Sequence, residues 1–284
     1  MSKILAVDLD GTLFYPMGRK QLVSNKNIEF LRKFIDEGNR VVLVSSRNED
    51  TISKVIKEID RDIDFIGVNG CVMSVNGEIV KDIAIPSDVL NELVTSIAEE
   101  HKPIALLSTS KNYPIVIASL AGTGNFFKWF YAKYYSLTFG IYAEKYSVDN
   151  DIFFDEVKNG HVYTVRVFTG LSRKKKNKVN KQLNTIFREK YPTVEASWVG
   201  ALIELTPQGC SKAESLLNYL KMINASNDDL YVIGDSGNDI SMFKQFYEHS
   251  FVMKHAHSSV KRYAKHEVSR VYKLDKYLLE KENN

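Results

Sequence analysis

The sequence predicts an α/β fold: a Rossmann-like parallel-sheet core that carries an inserted α/β domain. Three observations predict it. Short apolar runs alternate with amphipathic segments from residue 4 to residue 70, the rhythm of right-handed βαβ units in a parallel sheet. The rhythm breaks at Asn76-Gly77, a strong hairpin signal. It returns after Gly209, where a helical segment and a buried apolar run follow in turn. The expected division is a first core part over 1–85, an inserted domain over 86–198 and a second core part over 199–284.

Each element has its own warrant. Ile4-Leu5-Ala6-Val7 is a short apolar run and reads as a buried strand. Ser24 is a candidate N-cap for a helix with Ile28, Leu31, Phe34 and Ile35 at helical spacing, stopped by Gly38. Arg40 to Val44 is a second strand, and Ile52, Val55, Ile56 and Ile59 mark a second helix. Asp64 to Val68 is a third strand, ending at Asn69-Gly70. Val72 to Val75 and Glu78 to Ile85 flank the hairpin turn. In the inserted region, Ser87 to His101 reads as a helix, and Ile104 to Leu107 and Ile115 to Ala118 as strands. Thr123 to Tyr135 reads as an aromatic helix, Val162 to Phe168 as an alternating strand and Arg173 to Tyr191 as an amphipathic helix. Val194 to Leu205 reads as a hairpin around Gly200. The core resumes with a helix after Lys212, the strand Leu230 to Ile233, a short helix with Met242 and Phe243, the strand Ser250 to Met253 and a helix over His257 to Lys265.

Composition narrows the function classes. A net charge of +3 is too small to point to nucleic acid or a membrane surface. Two cysteines, Cys71 and Cys210, lack metal-ligand spacing and read as idle thiols in a reducing compartment. No apolar run approaches the roughly 18–20 residues of a membrane-spanning helix, and no signal-like segment opens the chain. The expected location is the cytoplasm. No motif speaks to the oligomeric state.

Chemistry concentrates at strand ends. In open parallel sheets ligands bind beyond the C-terminal ends of strands, and Asp8, Ser45 and Asn69 all stand there. Asp8 and Asp10 lie two positions apart, so an extended backbone aims both carboxylates the same way. Two close carboxylates repel unless a cation or a shared proton relieves them. The pattern therefore reads as a metal site, an acid/base pair or an acidic turn. Lys212 at a helix start and the run Gly234-Asp235-Ser236-Gly237-Asn238-Asp239 after the strand add a cation and further carboxylates.

Asp8-Leu9-Asp10-Gly11-Thr12-Leu13, the strand-end hydroxyl Ser45, Lys212 and the Gly234–Asp239 run appear in the order of the four motifs of the haloacid dehalogenase (HAD) superfamily, which the chain resembles. The finer resemblance is to the Cof-type phosphatases, on Asn69-Gly70, Glu204-Leu205-Thr206-Pro207-Gln208-Gly209 and the Gly234–Asp239 run. It implies that the inserted domain is a large α/β cap that closes over the site and sets specificity. It also implies a Mg²⁺-dependent phosphatase acting on small phosphorylated metabolites, sugar phosphates above all. Asp8 would be the nucleophile that forms an aspartyl-phosphate, and Asp10 the general acid and base. Magnesium would be held by Asp8, the Asp10 carbonyl and Asp235, with Asp239 supporting this set. Ser45, Asn238 and the amides of Leu9 and Ser46 would hold phosphate oxygens, and Lys212 would neutralise charge. Arg47 and Asn69 stand at strand ends, where either a structural role or substrate contact is open, and Gly70 is placed with them on the substrate side.

Two departures from the family pattern stand out. Ser45-Ser46-Arg47 replaces Thr-Gly-Arg and keeps the hydroxyl, and His255 stands where the family commonly has asparagine. Two rival readings share the motifs: a phosphomannomutase-like phosphotransferase and a non-catalytic phosphometabolite-binding protein. The intact nucleophile, Asp8, counts against the binder. The aromatic stretch Phe126 to Tyr135 reads as core packing rather than a stacking platform, and the basic run Arg173 to Lys176 as a solvated helix start. His255 and His257 lack carboxylate or cysteine partners nearby in sequence and are not read as metal ligands.

Overall fold

The computed structural model describes residues 2–16, 22–169, 189–199 and 202–279. Its contacts separate into two compact units, Met1–Lys81 with Ser211–Asn284, and Asp82–Cys210. The basic run at Arg173 and most of the helix expected over Arg173 to Tyr191 lie outside the described residues.

The first unit is built on an eight-stranded sheet. Its strands are β1 (Ile4–Val7), β2 (Arg40–Val44), β3 (Asp64–Gly67), β4 (Val72–Val75) and β5 (Glu78–Asp82). Three more follow the second unit: β12 (Leu230–Gly234), β13 (Ser250–Met253) and β14 (His266–Val268). The spatial order is β14-β13-β12-β1-β2-β3-β4-β5. Pairing is parallel from β14 to β3 and antiparallel between β3 and β4. β1 lies between β2 and β12, so Ile4 is level with both Arg40 and Leu230. The chain leaves this sheet after β5 and returns to its centre, where the strand order reverses. Ligand crevices form at such reversals.

Local sequence explains the flanking elements. Helix α1 (Asn25–Asp36) starts at Ser24, whose hydroxyl accepts the Asn27 amide, and buries Ile28, Phe30, Leu31 and Phe34. Helix α2 (Glu49–Ile59) starts at Asn48, which caps the Thr51 amide. Asn76 and Gly77 both take positive φ, 52° and 82°, as a tight hairpin turn requires. One face of the sheet packs Ile4, Ala6, Val42, Val44, Ile66, Val232 and Val252 against Leu216, Tyr219, Leu220 and Phe243.

The second unit has a six-stranded sheet in the order β10-β11-β9-β6-β7-β8. Its strands are β6 (Ala105–Ser110), β7 (Ile115–Ser119), β8 (Tyr146–Val148), β9 (Val162–Phe168), β10 (Val194–Val199) and β11 (Leu202–Pro207). On one face Leu106, Val116, Val165, Val167, Ile203 and Leu205 pack with the helices α3 (Ser87–His101) and α6 (Asn150–Asn159). On the other, Leu107, Ile115 and Ile117 meet Phe127 and Tyr131. These two aromatics come from α4 (Gly124–Phe130) and a wider turn over Tyr131–Tyr135, which leads into the one-turn helix α5 (Ser136–Phe139).

Several expectations need correction. β11 pairs with β9 and β10, so residues 202–207 belong to the second unit, whereas the reading began the second core part at 199. The aromatic stretch splits: Phe127 and Tyr131 are buried, but Phe126 and Trp129 are more than half exposed, because a helix can turn only one face to the sheet. The helix expected over His257 to Lys265 is a single turn, Ser258–Lys261, and the chain then forms the edge strand β14. β8 and α6 lie in a stretch for which no element was expected.

Candidate active site

The first unit gathers its polar residues where β1, β2, β3, β12 and β13 end. Asp8 directly follows β1, and its amide donates to the Ile233 carbonyl of β12 at 3.1 Å. The chain then folds back: the Leu13 amide donates to the Asp8 carbonyl and the Phe14 amide to that of Leu9, at 3.1 and 3.0 Å. Gly11 makes this turn possible. Its φ is +77°, and a Cβ there would lie 2.3 Å from Asp235 Oδ2, so a side chain is excluded by conformation and by space.

Lys212 is the centre of the cluster. Helix α7 (Lys212–Met222) starts at Ser211, whose hydroxyl accepts the Glu214 amide. Lys212 Nζ donates to Asp8 Oδ1 at 2.7 Å and to Asp239 Oδ1 at 2.6 Å. All three side chains are buried. Two turns further along α7, the Tyr219 hydroxyl donates to Asp64 Oδ2 at 2.6 Å, so the helix is anchored to the sheet at both places. Asp239 is fully committed to the protein: its Oδ2 accepts the amides of Asp235 and Ser236, both at 2.9 Å. It shapes the loop after β12 that presents Asp235.

Charges in the cluster do not balance. Burial drives the Asp8 carboxyl well above the usual carboxylate range; Lys212 opposes this, while Asp239 and Asp10 add to it. Burial works against the Lys212 charge, yet Asp239 and Asp8 hold its pKa above the ordinary lysine value. Burial, then the Asp239 charge, push Asp235 up to about 6. Asp8 Oδ2 is buried and has no protein partner. Oxygens of Asp8, Asp235 and Asp239 can all lie within 4.8 Å of one another. Excess carboxylate, an orphaned buried oxygen and an all-oxygen donor set fit a hard divalent cation. A cation there would reverse the local pKa logic and hold these carboxylates charged.

The other site residues fall around this centre. Arg47 grips Asp10 with both arms of its guanidinium: Nε donates to Oδ2 at 2.8 Å and Nη2 to Oδ1 at 2.7 Å. Arg47, for which both a structural role and a substrate contact are expected, forks onto Asp10. Its side chain is buried while Asp10 remains 40% exposed, so the acid reaches solvent from a fixed mount. Ser45 is buried, and its hydroxyl accepts the Arg47 amide at 3.2 Å. Leu9 and Ser46 lie in the turns after β1 and β2. After β3, Val68, Asn69 and Gly70 take successive φ values of 49°, 55° and 101°, a strained path for a β-branched residue. This turn brings the Asn69 side chain to 3.5 Å from Asn238 Nδ2. Gly70 faces away: a Cβ there would lie 2.2 Å from Ser215 Oγ. Its place is set by that packing, and it adds no side chain to the site.

Four further residues stand beside the cluster, and of these the sequence singles out only His255. The Thr12 hydroxyl lies 3.5 Å from Asp235 Oδ1; its place in the first motif was the available signal. His255 Nε2 lies 3.5 Å from Asp235 Oδ2, so the carboxylate partner missing nearby in sequence comes from β12. Tyr15 stacks on His255 with ring centroids 3.7 Å apart, and the Arg270 guanidinium sits 4.7 Å from the Tyr15 ring centre. No local signal marks Tyr15 or Arg270. His257 instead caps the Ser258–Lys261 turn by accepting the Ser259 amide.

Comparisons with known proteins agree on the fold. A haloacid dehalogenase-like hydrolase from Bacteroides thetaiotaomicron superposes with a TM-score of 0.74 at 22% identity, covering 98% of this chain and 99% of its own. A HAD subclass IIB sugar phosphatase superposes with a TM-score of 0.72 at 19% identity, covering 97% and 98%. In sequence, an uncharacterised protein of Mycoplasma capricolum is 23% identical over 96% of this chain and 99% of its own. The family description "haloacid dehalogenase-like hydrolase" matches residues 5–274. That match runs from β1 through the Asp8, Lys212 and Asp235 positions to beyond β14, so the chain belongs to the haloacid dehalogenase-like hydrolase family.

Proposed function

We propose that the protein is a Mg²⁺-dependent phosphatase that hydrolyses small phosphomonoesters through an aspartyl-phosphate at Asp8. The observation that carries this reading is the buried Asp8–Lys212–Asp239 network with Asp8 Oδ2 unclaimed. Three carboxylates converge here around one ammonium, a donor set that suits a hard divalent cation. Likeness to a sugar phosphatase supports sugar phosphates as the leading substrate class.

The residues divide the work. Lys212 fixes the Asp8 carboxylate through Oδ1 and offsets charge as the phosphoester arrives. An Asp8 oxygen attacks phosphorus, and the bond to the leaving oxygen breaks. Asp10, held by the Arg47 fork, gives that oxygen a proton. Asp10 then takes a proton from water as the water oxygen attacks the aspartyl-phosphate, which releases phosphate and restores Asp8. The Ser45 hydroxyl, the amides of Leu9 and Ser46, and Asn238 bind the phosphoryl oxygens, and Asn69 orients Asn238. Magnesium, held by Asp8, the Asp10 carbonyl and Asp235 with Asp239 behind them, supplies charge neutralisation when bound.

The test is phosphate release from a panel of phosphomonoesters, with and without Mg²⁺, by wild type and Asp8→Asn. Mg²⁺-dependent release is expected from the wild type, lost in the variant. A folded wild type that releases phosphate from no ester, at any Mg²⁺ concentration, would overturn the reading.

A further inference from the structure

The geometry points to His255 as a positioning residue for Asp235, holding that carboxylate in the orientation that binds the metal ion. The inference rests on the function proposed above, in which Asp235 is a metal ligand.

Three observations carry it. First, both Asp235 oxygens are bracketed at the same distance: Oδ1 by the Thr12 hydroxyl and Oδ2 by His255 Nε2, each at 3.5 Å. Second, the imidazole is itself fixed. It stacks on Tyr15 at 3.7 Å with only 23° between the ring planes. Gly11 leaves no room for a Cβ against Asp235. Asp235 is therefore confined by Gly11 on one side and by the stacked His255 ring on another. Third, His255 follows β13, the strand next to β12, so its backbone is placed by the sheet and not by a free loop.

Direct ligation fits less well. Among the described residues, the ligand atoms that converge within 4.8 Å belong to Asp8, Asp235 and Asp239, and not to His255. A nitrogen donor beside one ligating carboxylate acts on that carboxylate's rotamer and basicity. Such outer partners typically change metal affinity by about 10–100-fold. Here the ring supplies both the donor and its own clamp.

The experiment measures Mg²⁺ affinity by titration calorimetry, without substrate, on the full chain. His255→Phe keeps an aromatic ring on Tyr15 and removes the nitrogen; His255→Gln restores an N–H donor of similar reach. His255→Phe is expected to bind Mg²⁺ about tenfold more weakly at an unchanged melting temperature, and His255→Gln to recover most of that loss. Asp235→Asn serves as the reference for a lost ligand. Wild-type affinity in His255→Phe would overturn the inference while leaving the metal reading intact. Equal weakening in the Phe and Gln variants would overturn the donor role. Absence of Mg²⁺ binding by the wild type would overturn both the inference and the reading it rests on.

Discussion

Each unit buries charge, and the two do so differently. In the second unit Arg166 of β9 meets Glu204 of β11 at 2.7 Å, and Arg166 Nη1 also donates to the Thr109 hydroxyl at 3.3 Å. Leu107, Arg166 and Glu204 are level across β6, β9 and β11. Burial works against the Arg166 charge, but Glu204 and Glu144 hold its pKa above the ordinary arginine value. There the guanidinium bonds one buried carboxylate directly. In the first unit one ammonium serves two carboxylates, a third carboxylate stands nearby, and one buried oxygen has no partner. Burial alone therefore does not mark a functional charge cluster. What sets the first cluster apart is that oxygens of three carboxylates converge within 4.8 Å, a donor set that suits a divalent cation.

The comparison can be broken at either end. Lys212→Met should lower phosphate release by at least about 10³-fold, and adding Asp239→Leu should not restore it. Recovery in that double variant would mean that the cluster is structural like its counterpart. Arg166→Met should destabilise the protein by about 3–5 kcal/mol, because buried Glu204 loses the guanidinium it bonds at 2.7 Å, while Arg166→Met with Glu204→Leu should regain most of that loss. Urea unfolding measures both, and a double variant no more stable than the single would show that the pair is not self-contained. Gly11→Ala should weaken Mg²⁺ binding roughly tenfold by displacing Asp235, read by the same calorimetry, and an unchanged affinity would show that Asp235 has room to shift.

The smallest effect sharpens the contrast at a balanced, half-exposed cluster. Burial works against the Asp82 charge, but hydrogen bonds from Lys111, Tyr163 and His161 outweigh it and lower its pKa. A carboxylate depressed in the folded state stabilises above its unfolded pKa, and the contribution fades as pH falls through the folded value. Wild type should thus exceed Asp82→Asn in stability by under about 1 kcal/mol near neutral pH, with the gap closing in acid. A gap that widens in acid would contradict the sign.

What the sequence made legible was local. Each of Asp8, Ser45 and Asp235 follows an apolar run, and strand-end position alone brings them to one edge of a parallel sheet. Lys212 was legible as a lysine at a helix start only because it falls in the order of the family motifs. Pairings across the sheet were not. Strand-end position placed Arg47 near the site, but nothing local says that its fork closes on Asp10, 37 residues earlier. His255 lacked a partner in its own segment because its partner sits on the neighbouring strand. Arg166 and Glu204 show only alternation, which identifies a strand and its faces but not its register. β14, at three residues, is too short for any periodicity to register.

The first unit is split in sequence around the second, and this has a consequence in time. Asp8 and Lys212 are 204 residues apart. At about 5–20 residues per second, a ribosome delivers the lysine roughly 10–40 s after the aspartate. The whole of Asp82–Cys210 is synthesised in that interval, so its sheet can close while β1 still waits for β12. The nascent chain thus holds Asp8 outside its buried cluster until the last quarter emerges with Lys212 and Asp239. The candidate site is the final feature that the growing polypeptide assembles.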